Sequence, residues 1–323
     1  MSAAYSLHRI PFFDRLADSQ TILLAGAGGG FDIYSGLPLY FSLRRAGKKV
    51  ILANFSFTWL DQTSAELVFP YCYRIRANDV DRSGRNYFPE AHLQAWLERR
   101  GERVELYAFD RIGVQPLRAA YQYLLATHAI DTVVLVDGGT DSLMLGDEAG
   151  LGTPQEDVCS MAAVFQCAID RQFLLSIGFG IDHFHGVSHY RFLENVAHLA
   201  REGAFLGSFH LIEEMEESQA FLAAVRYAND RMPQIQSIVA NSITSALEGE
   251  YGNYHRTART WGSELWINPL MTIYWAFELQ KLVPQIKYYE LIKSVNTIGE
   301  FNGQLARYRQ SQSDLREHRP MPH

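Results

Sequence analysis

Four glycines within five residues, Gly26, Gly28, Gly29 and Gly30, follow directly on an apolar run over residues 21–25 and lead into Phe31-Asp32 and an amphipathic stretch. An uninterrupted apolar run reads as a strand covered on both faces, and bare backbone at its end reads as a tight turn into a helix. A strand covered on both faces belongs in a sheet with helices packed above and below it. The pattern recurs. Residues 49–55, 104–109, 131–137, 173–178 and 204–209 read as further strands. The run Thr132-Val-Val-Leu-Val136 has no polar alternation at all.

Between the strands, apolar residues return at helical spacing. Helices are expected over residues 33–46 (closed by Gly47), 88–100, 114–128 and 189–201, and over 213–248 with a break at Pro233. Pro38 either lies in the first turn of a helix starting near Leu37 or kinks a longer one. Residues 66–75 contain Pro70 and read as an edge strand or as irregular. Thr153-Pro154-Gln155-Glu156 has the form of a capping box at a helix start. Residues 249–262 read as a loop, 264–268 as a short strand and 271–279 as an apolar helix, more often core or subunit interface than a cofactor box. The tail beyond Gln304 is polar, and its end is expected to fray. The fold class expected is α/β: a Rossmann-like, doubly wound, mainly parallel sheet with helices on both faces. One domain over residues 1–323 is expected, with the sheet core in about 1–212 and a mainly helical C-terminal elaboration in about 213–323.

Charge and cysteine usage narrow the function. The net charge of −7 argues against a nucleic-acid binder that relies on phosphate contacts. Cys72, Cys159 and Cys167 each lie in or near an apolar run, a reduced, cytoplasmic pattern rather than a disulfide framework. Residues 1–16 carry no long apolar core of a signal peptide, and no apolar segment approaches the ~20 residues of a spanning helix, so no membrane role is expected.

Four constellations carry the candidate chemistry. The first is the glycine turn. Gly26, Gly28, Gly29 and Gly30 let backbone amides approach a carboxylate or phosphate. As a dinucleotide fingerprint the turn is defective: Phe31 stands at the third glycine position, and Asn54 stands where an acid would hold a ribose. Asp32 adds a negative charge. NAD is therefore not expected, and a small-molecule ligand is.

The second constellation follows Asp137. Between Asp137 and Asp157 there are six acids and no Lys or Arg. At the end of a buried strand, Asp137 and Asp141 suit a divalent cation such as Mg²⁺ or a substrate amine, with Gly138 and Gly139 giving ligand access. The third is Gly178-Phe-Gly180-Ile-Asp182-His183-Phe-His185, also at a strand end. Asp182, His183 and His185 are acid/base candidates, and two residues of separation would point both histidines the same way in an extended loop. The fourth is a pair of basic loops, Arg74 to Arg85 and Tyr251 to Arg259, from which Arg256 is the ligand-binding candidate.

The turn Gly26-Ala-Gly-Gly-Gly-Phe-Asp32, the following Gly36-Leu-Pro-Leu, the segment Asp137-Gly-Gly-Thr-Asp141…Gly146-Asp147-Glu148…Pro154 and Gly178-x-Gly180-x-Asp182 together resemble the family called domain of unknown function eleven-fifty-two. The resemblance runs over the first 200 residues, with a fainter echo at Asn268-Pro269-Leu…Tyr274-Trp275. It implies a Rossmann-like fold and no known activity. His183 and His185 depart from the family form, in which a Gly-Glu pair follows the Asp. The early glycine turn, the Leu-Pro-Leu helix start and the Asp-Gly-Gly motif are also similar to those of D-glutamate cyclases.

The sequence-based expectation is a cytoplasmic, non-redox enzyme of the lyase or hydrolase class. It would act on a small anionic metabolite with a divalent cation, as a homo-oligomer. The alternative is a non-catalytic nucleotide- or metabolite-binding regulator using the same turn.

Overall fold

A computed structural model describes residue 6 and residues 8–321. In chain order the strands are β1 (Thr21–Gly26), β2 (Lys49–Phe55), β3 (Glu66–Phe69), β4 (Cys72–Ile75), β5 (Leu106–Phe109), β6 (Thr132–Gly138), β7 (Arg171–Ile177), β8 (Phe205–His210), β9 (Gly252–Asn253), β10 (Trp266–Ile267) and β11 (Ile273–Glu278). Nine of them form one sheet in the order β3-β4-β5-β2-β1-β6-β7-β11-β8, and β9 and β10 form a separate ribbon. The five central strands, β5-β2-β1-β6-β7, are parallel. Antiparallel pairs β3–β4 and β4–β5 close one side, and β11 is antiparallel to both β7 and β8 on the other.

Both faces of the centre are covered, as continuous apolar strands require. Leu23, Ala25, Val133 and Leu135 pack into the core on one face, and Ile22, Leu24, Val134 and Val136 into the core on the other. This α/β architecture is compatible with a Rossmann-like fold. From β1 the chain moves outward through β2 to β5, then crosses back to place β6 on the other flank of β1. The loops after β1 and β6 therefore diverge, which opens a crevice at the carboxyl ends of these two strands.

The helix expected over residues 33–46 is two pieces, Asp32–Ser35 and Leu37–Arg45, with Pro38 in the first turn of the second. The 66–75 stretch is the β3–β4 hairpin, turned at Pro70-Tyr71 with Tyr71 at φ 63. The 213–248 helix breaks around Pro233 into Glu216–Arg231 and Ile238–Leu247.

Two expectations are corrected. Residues 271–279 are not a helix: most of the stretch is β11, inserted between β7 and β8. Apolar on both faces, it has no period by which helix and strand could be told apart. The sheet consequently does not end near residue 212, and the C-terminal part contributes a strand to it. The end of the tail, where fraying is expected, lies partly outside the described residues. Helix Ile298–Gln310 continues past Gln304, and Arg316 beyond the helix donates to Asp147, Glu148 and Glu194. Among the described residues, no helix is long and apolar enough to cross a membrane.

Candidate functional site

The crevice at the ends of β1, β6 and β7 is a cavity of about 320 Å³. Its acidic walls are Asp32, Asp137, Asp141, Asp157 and Asp182, each less than a tenth exposed. Asp32 begins the short helix after the glycine turn, and Asp137 lies within β6. Asp141 opens the 3₁₀ turn Asp141–Leu143, Asp157 sits in the first turns of helix Pro154–Phe165, and Asp182 lies in the 3₁₀ turn Ile181–His185 after β7.

Most of these carboxylates are held by one oxygen. Asp32 Oδ2 accepts from the Gly28 amide at 2.6 Å. Asp137 Oδ2 accepts from the Ser142 hydroxyl. Asp141 Oδ2 takes the Thr153 amide at 2.8 Å and the Thr153 hydroxyl at 3.1 Å. Asp182 Oδ2 takes the Thr140 amide at 2.6 Å and its hydroxyl at 3.1 Å. Asp157 Oδ1 is buried and has no hydrogen-bond partner. Asp32, Asp137 and Asp157 each present a carboxylate oxygen within 4.8 Å of the other two.

None of the five carries a salt bridge among the described residues, whereas nearby Glu156 is paired with Arg111 at 2.8 Å. Burial pushes every one of the five above the usual carboxylate range, to about 8 for Asp32, and repulsion from neighbouring carboxylates adds to the effect at Asp32, Asp137, Asp157 and Asp182. A Gly28 amide hydrogen bond pulls Asp32 partly back. Such a cluster stays charged only when a cation compensates it; otherwise it takes up protons.

The glycines make this packing achievable. A methyl group on Gly28 would sit 2.5 Å from Asp157 Oδ1 and 2.7 Å from Asp32 Oδ2, and one on Gly138 would sit 2.9 Å from Asp32 Oδ1. On Gly139 it would meet Asp182 Oδ2 at 2.8 Å and Asp137 Oδ1 at 3.1 Å. The turn thus admits carboxylates of its own chain. Its expected use as an anion cradle is corrected in part: the Gly28 amide is already taken by Asp32, and the helix beyond is only four residues long.

Other candidates are placed differently from the sequence reading. Gly26 and Asn54 do not line the cavity. Asn54 braces the turn from behind, donating to the Gly30 carbonyl at 2.9 Å and to buried Glu90 at 2.7 Å. Gly139 lies behind Asp182 and Asp137 rather than at the surface of the cavity. Arg256 is bound to Glu248 and to Ser245 and stands away from the cleft. Arg259 and Arg85 line the cleft instead. His183 and His185 do not point the same way, because their segment is a 3₁₀ turn rather than extended chain. His185 faces the cleft and acts electrostatically on Asp141, while His183 packs its ring against His189 and His318. Thr153 does not close a capping box; its hydroxyl serves Asp141.

Asp157 is the ligand-type residue that sequence reading did not single out. The signal was the run of acids free of Lys and Arg up to that position; its helical setting gave no hint that it turns into the crevice.

Fold and site together define an α/β protein with a strand-end cleft rich in buried carboxylates. The chain belongs to the family described as "Protein of unknown function (DUF1152)", whose model matches residues 66–312. The match takes in Asp137, Asp141, Asp157 and Asp182; the glycine turn and Asp32 lie outside it, so the family extends further towards the C-terminus than the motifs that first pointed to it. No curated protein and no solved structure matches the chain.

Proposed function

We propose that this chain is a divalent-cation-dependent enzyme of the lyase or hydrolase class acting on a small anionic metabolite. The observation that carries the reading is Asp157 Oδ1: buried, without a partner, and grouped with oxygens of Asp32 and Asp137 inside one ligand-binding radius. Hard oxygen donors without nitrogen or sulfur among them suit Mg²⁺ or Mn²⁺. When bound, such an ion supplies Lewis-acid polarisation of a carbonyl or phosphoryl oxygen, or a more acidic water.

The chain's own groups divide the remaining work. Arg85 and Arg259, on the exposed side of the cleft, receive the anionic end of the substrate. Asp182, which lines the cleft and whose carboxyl burial raises well above the usual range, is the general acid. His185, beside Asp141 at the cleft wall, is the proton acceptor. A purely regulatory binder has no need of five converging carboxylates, and this favours the enzyme over the alternative of a nucleotide- or metabolite-binding regulator. A cytoplasmic location and a homo-oligomeric state go with this proposal.

Calorimetric titration of the full-length protein with Mn²⁺ tests it. Wild type is expected to bind with a dissociation constant below about 100 μM, corresponding to about 5.5 kcal/mol, and Asp157→Asn is expected to weaken binding at least tenfold. Equal affinity in the two proteins would remove the site from the account.

A further inference from the structure

A second cavity, of about 340 Å³, adjoins the acidic cleft, and Asp182, His185, Ile238, Val239 and Arg259 line both. Its volume falls at the lower end of the ~300–1,000 Å³ typical of small-ligand pockets. Its lining is mixed: His183, His185, His189, Asp182, Glu264 and Arg259 stand beside an apolar wall. Ile181, Val239, Phe184, Leu265 and Trp266 form its apolar surface. Behind that surface lies a small apolar cluster in which Ile181 and Leu265 join Ile267 and Met271. Two of its aromatics stay open to solvent where most large apolar side chains are covered: Phe184 is 72% exposed and Trp266 38%. The His189 ring meets Trp266 edge-on at 5.3 Å and keeps an imidazole face near the cavity.

Four segments build this annex: the 3₁₀ turn after β7, the start of helix His189–Arg201, the start of helix Ile238–Leu247, and the chain from Arg259 to β10. Trp266 meets the His189 ring and Phe184 meets the His185 ring at 5.5 Å, and both aromatics remain partly exposed. Aromatic side chains at a cavity mouth beside an apolar wall favour stacking with a flat ring.

We infer that the annex is a subsite for a planar aromatic group carried by the same small anionic substrate whose charged end occupies the acidic cleft. The inference rests on the proposed function for the cleft, and it adds the class of substrate: an aryl- or nucleobase-bearing anion rather than a small aliphatic acid. Arg259 lines both cavities and so stands where the charged and flat parts of such a molecule would join.

The test compares phenylphosphonate with methylphosphonate, which share an anionic head, on the full-length protein with saturating Mn²⁺ and again in EDTA. AMP against ribose 5-phosphate repeats the comparison with a nucleobase in place of a simple aryl group. Mn²⁺ loading is read in the same samples by electron paramagnetic resonance. In wild type at least one ring-bearing probe is expected to bind about tenfold more tightly than its ringless counterpart, and the pair that shows the preference identifies aryl or nucleobase. Phe184→Ala combined with Trp266→Ala is expected to reduce the preference to less than about threefold, with Mn²⁺ loading and methylphosphonate affinity unchanged. Equal binding within both pairs, or a preference that survives the double variant, overturns the subsite. Absence of Mn²⁺ loading overturns the cleft reading instead. In that event a ring preference persisting in EDTA upholds the annex alone, and loss of both overturns the whole.

Discussion

Gly28→Ala perturbs the proposed ion site by one methyl group without touching a charge. Gly28 has no positive φ, so alanine fits its backbone without strain. The added Cβ would lie 2.5 Å from Asp157 Oδ1 and 2.7 Å from Asp32 Oδ2, closer than real side chains come. Both carboxylates must therefore retreat by several tenths of an ångström. The 2.6 Å bond from the Gly28 amide to Asp32 opposes that movement. Mg²⁺ tolerates displacements of only about 0.2 Å around ligand distances of about 2.0–2.1 Å. The variant should therefore lose at least about tenfold in Mn²⁺ affinity, or about 1.4 kcal/mol. Because the methyl projects toward a cavity, the metal-free fold should lose no more than about 1–3 kcal/mol, the ordinary cost of overpacking. Mn²⁺ titration by electron paramagnetic resonance reads the first quantity and urea unfolding in EDTA the second. Wild-type Mn²⁺ affinity in Gly28→Ala would refute the assignment of Asp32 and Asp157 as co-ligands.

Three further outcomes follow from the geometry. Because burial raises Asp32 to about 8 and lifts Asp137, Asp157 and Asp182 as well, their ionisation opposes folding. The metal-free protein should thus be most stable near pH 4 as far as these groups go, and should lose stability as pH rises toward 8; thermal melts in EDTA should show that slope and millimolar Mg²⁺ should flatten it. Arg259→Ala should weaken methylphosphonate binding at least about fivefold, while Arg256→Ala should leave it unchanged because Arg256 is committed to Glu248; isothermal titration of both variants decides between the two arginines. Arg316→Ala should destabilise the fold by about 2 kcal/mol, since it leaves fully buried Glu148 without its cation; chemical unfolding measures this, and a change under 0.5 kcal/mol would mean that the tail adds nothing to the fold.

The parallel centre of the sheet was legible because a strand covered on both faces leaves an unambiguous mark: Thr132 to Val136 has nowhere polar to face. The same property hid β11. At residues 273–278 the chain is apolar on both sides and short, so nothing in it separates a buried strand from a buried helix. The cleft was half legible. Asp137, Asp141 and Asp182 stand at strand ends, where the topology of an open sheet puts ligands. Asp157 stands inside a helix, and its direction depends on how that helix docks, which no local pattern records. His183 and His185 show the limit of spacing arguments: a separation of two residues aligns side chains only in extended chain, and the turn here is 3₁₀. Arg256 and Arg259 are chemically equivalent in sequence. Glu248, just past the neighbouring helix, binds Arg256, while Arg259, held by the Gln236 carbonyl at 2.6 Å, lines the cleft.

Asp32, Asp137 and Asp157 are the proposed joint ligands of a divalent cation at the switch point of the sheet. Diffraction from crystals soaked in Mn²⁺, recorded near the manganese absorption edge, tests this assignment most directly. The expected result is an anomalous peak between these three carboxylates, at ligand distance from Asp157 Oδ1. A cleft without a peak, in crystals that take up manganese elsewhere or not at all, would contradict it.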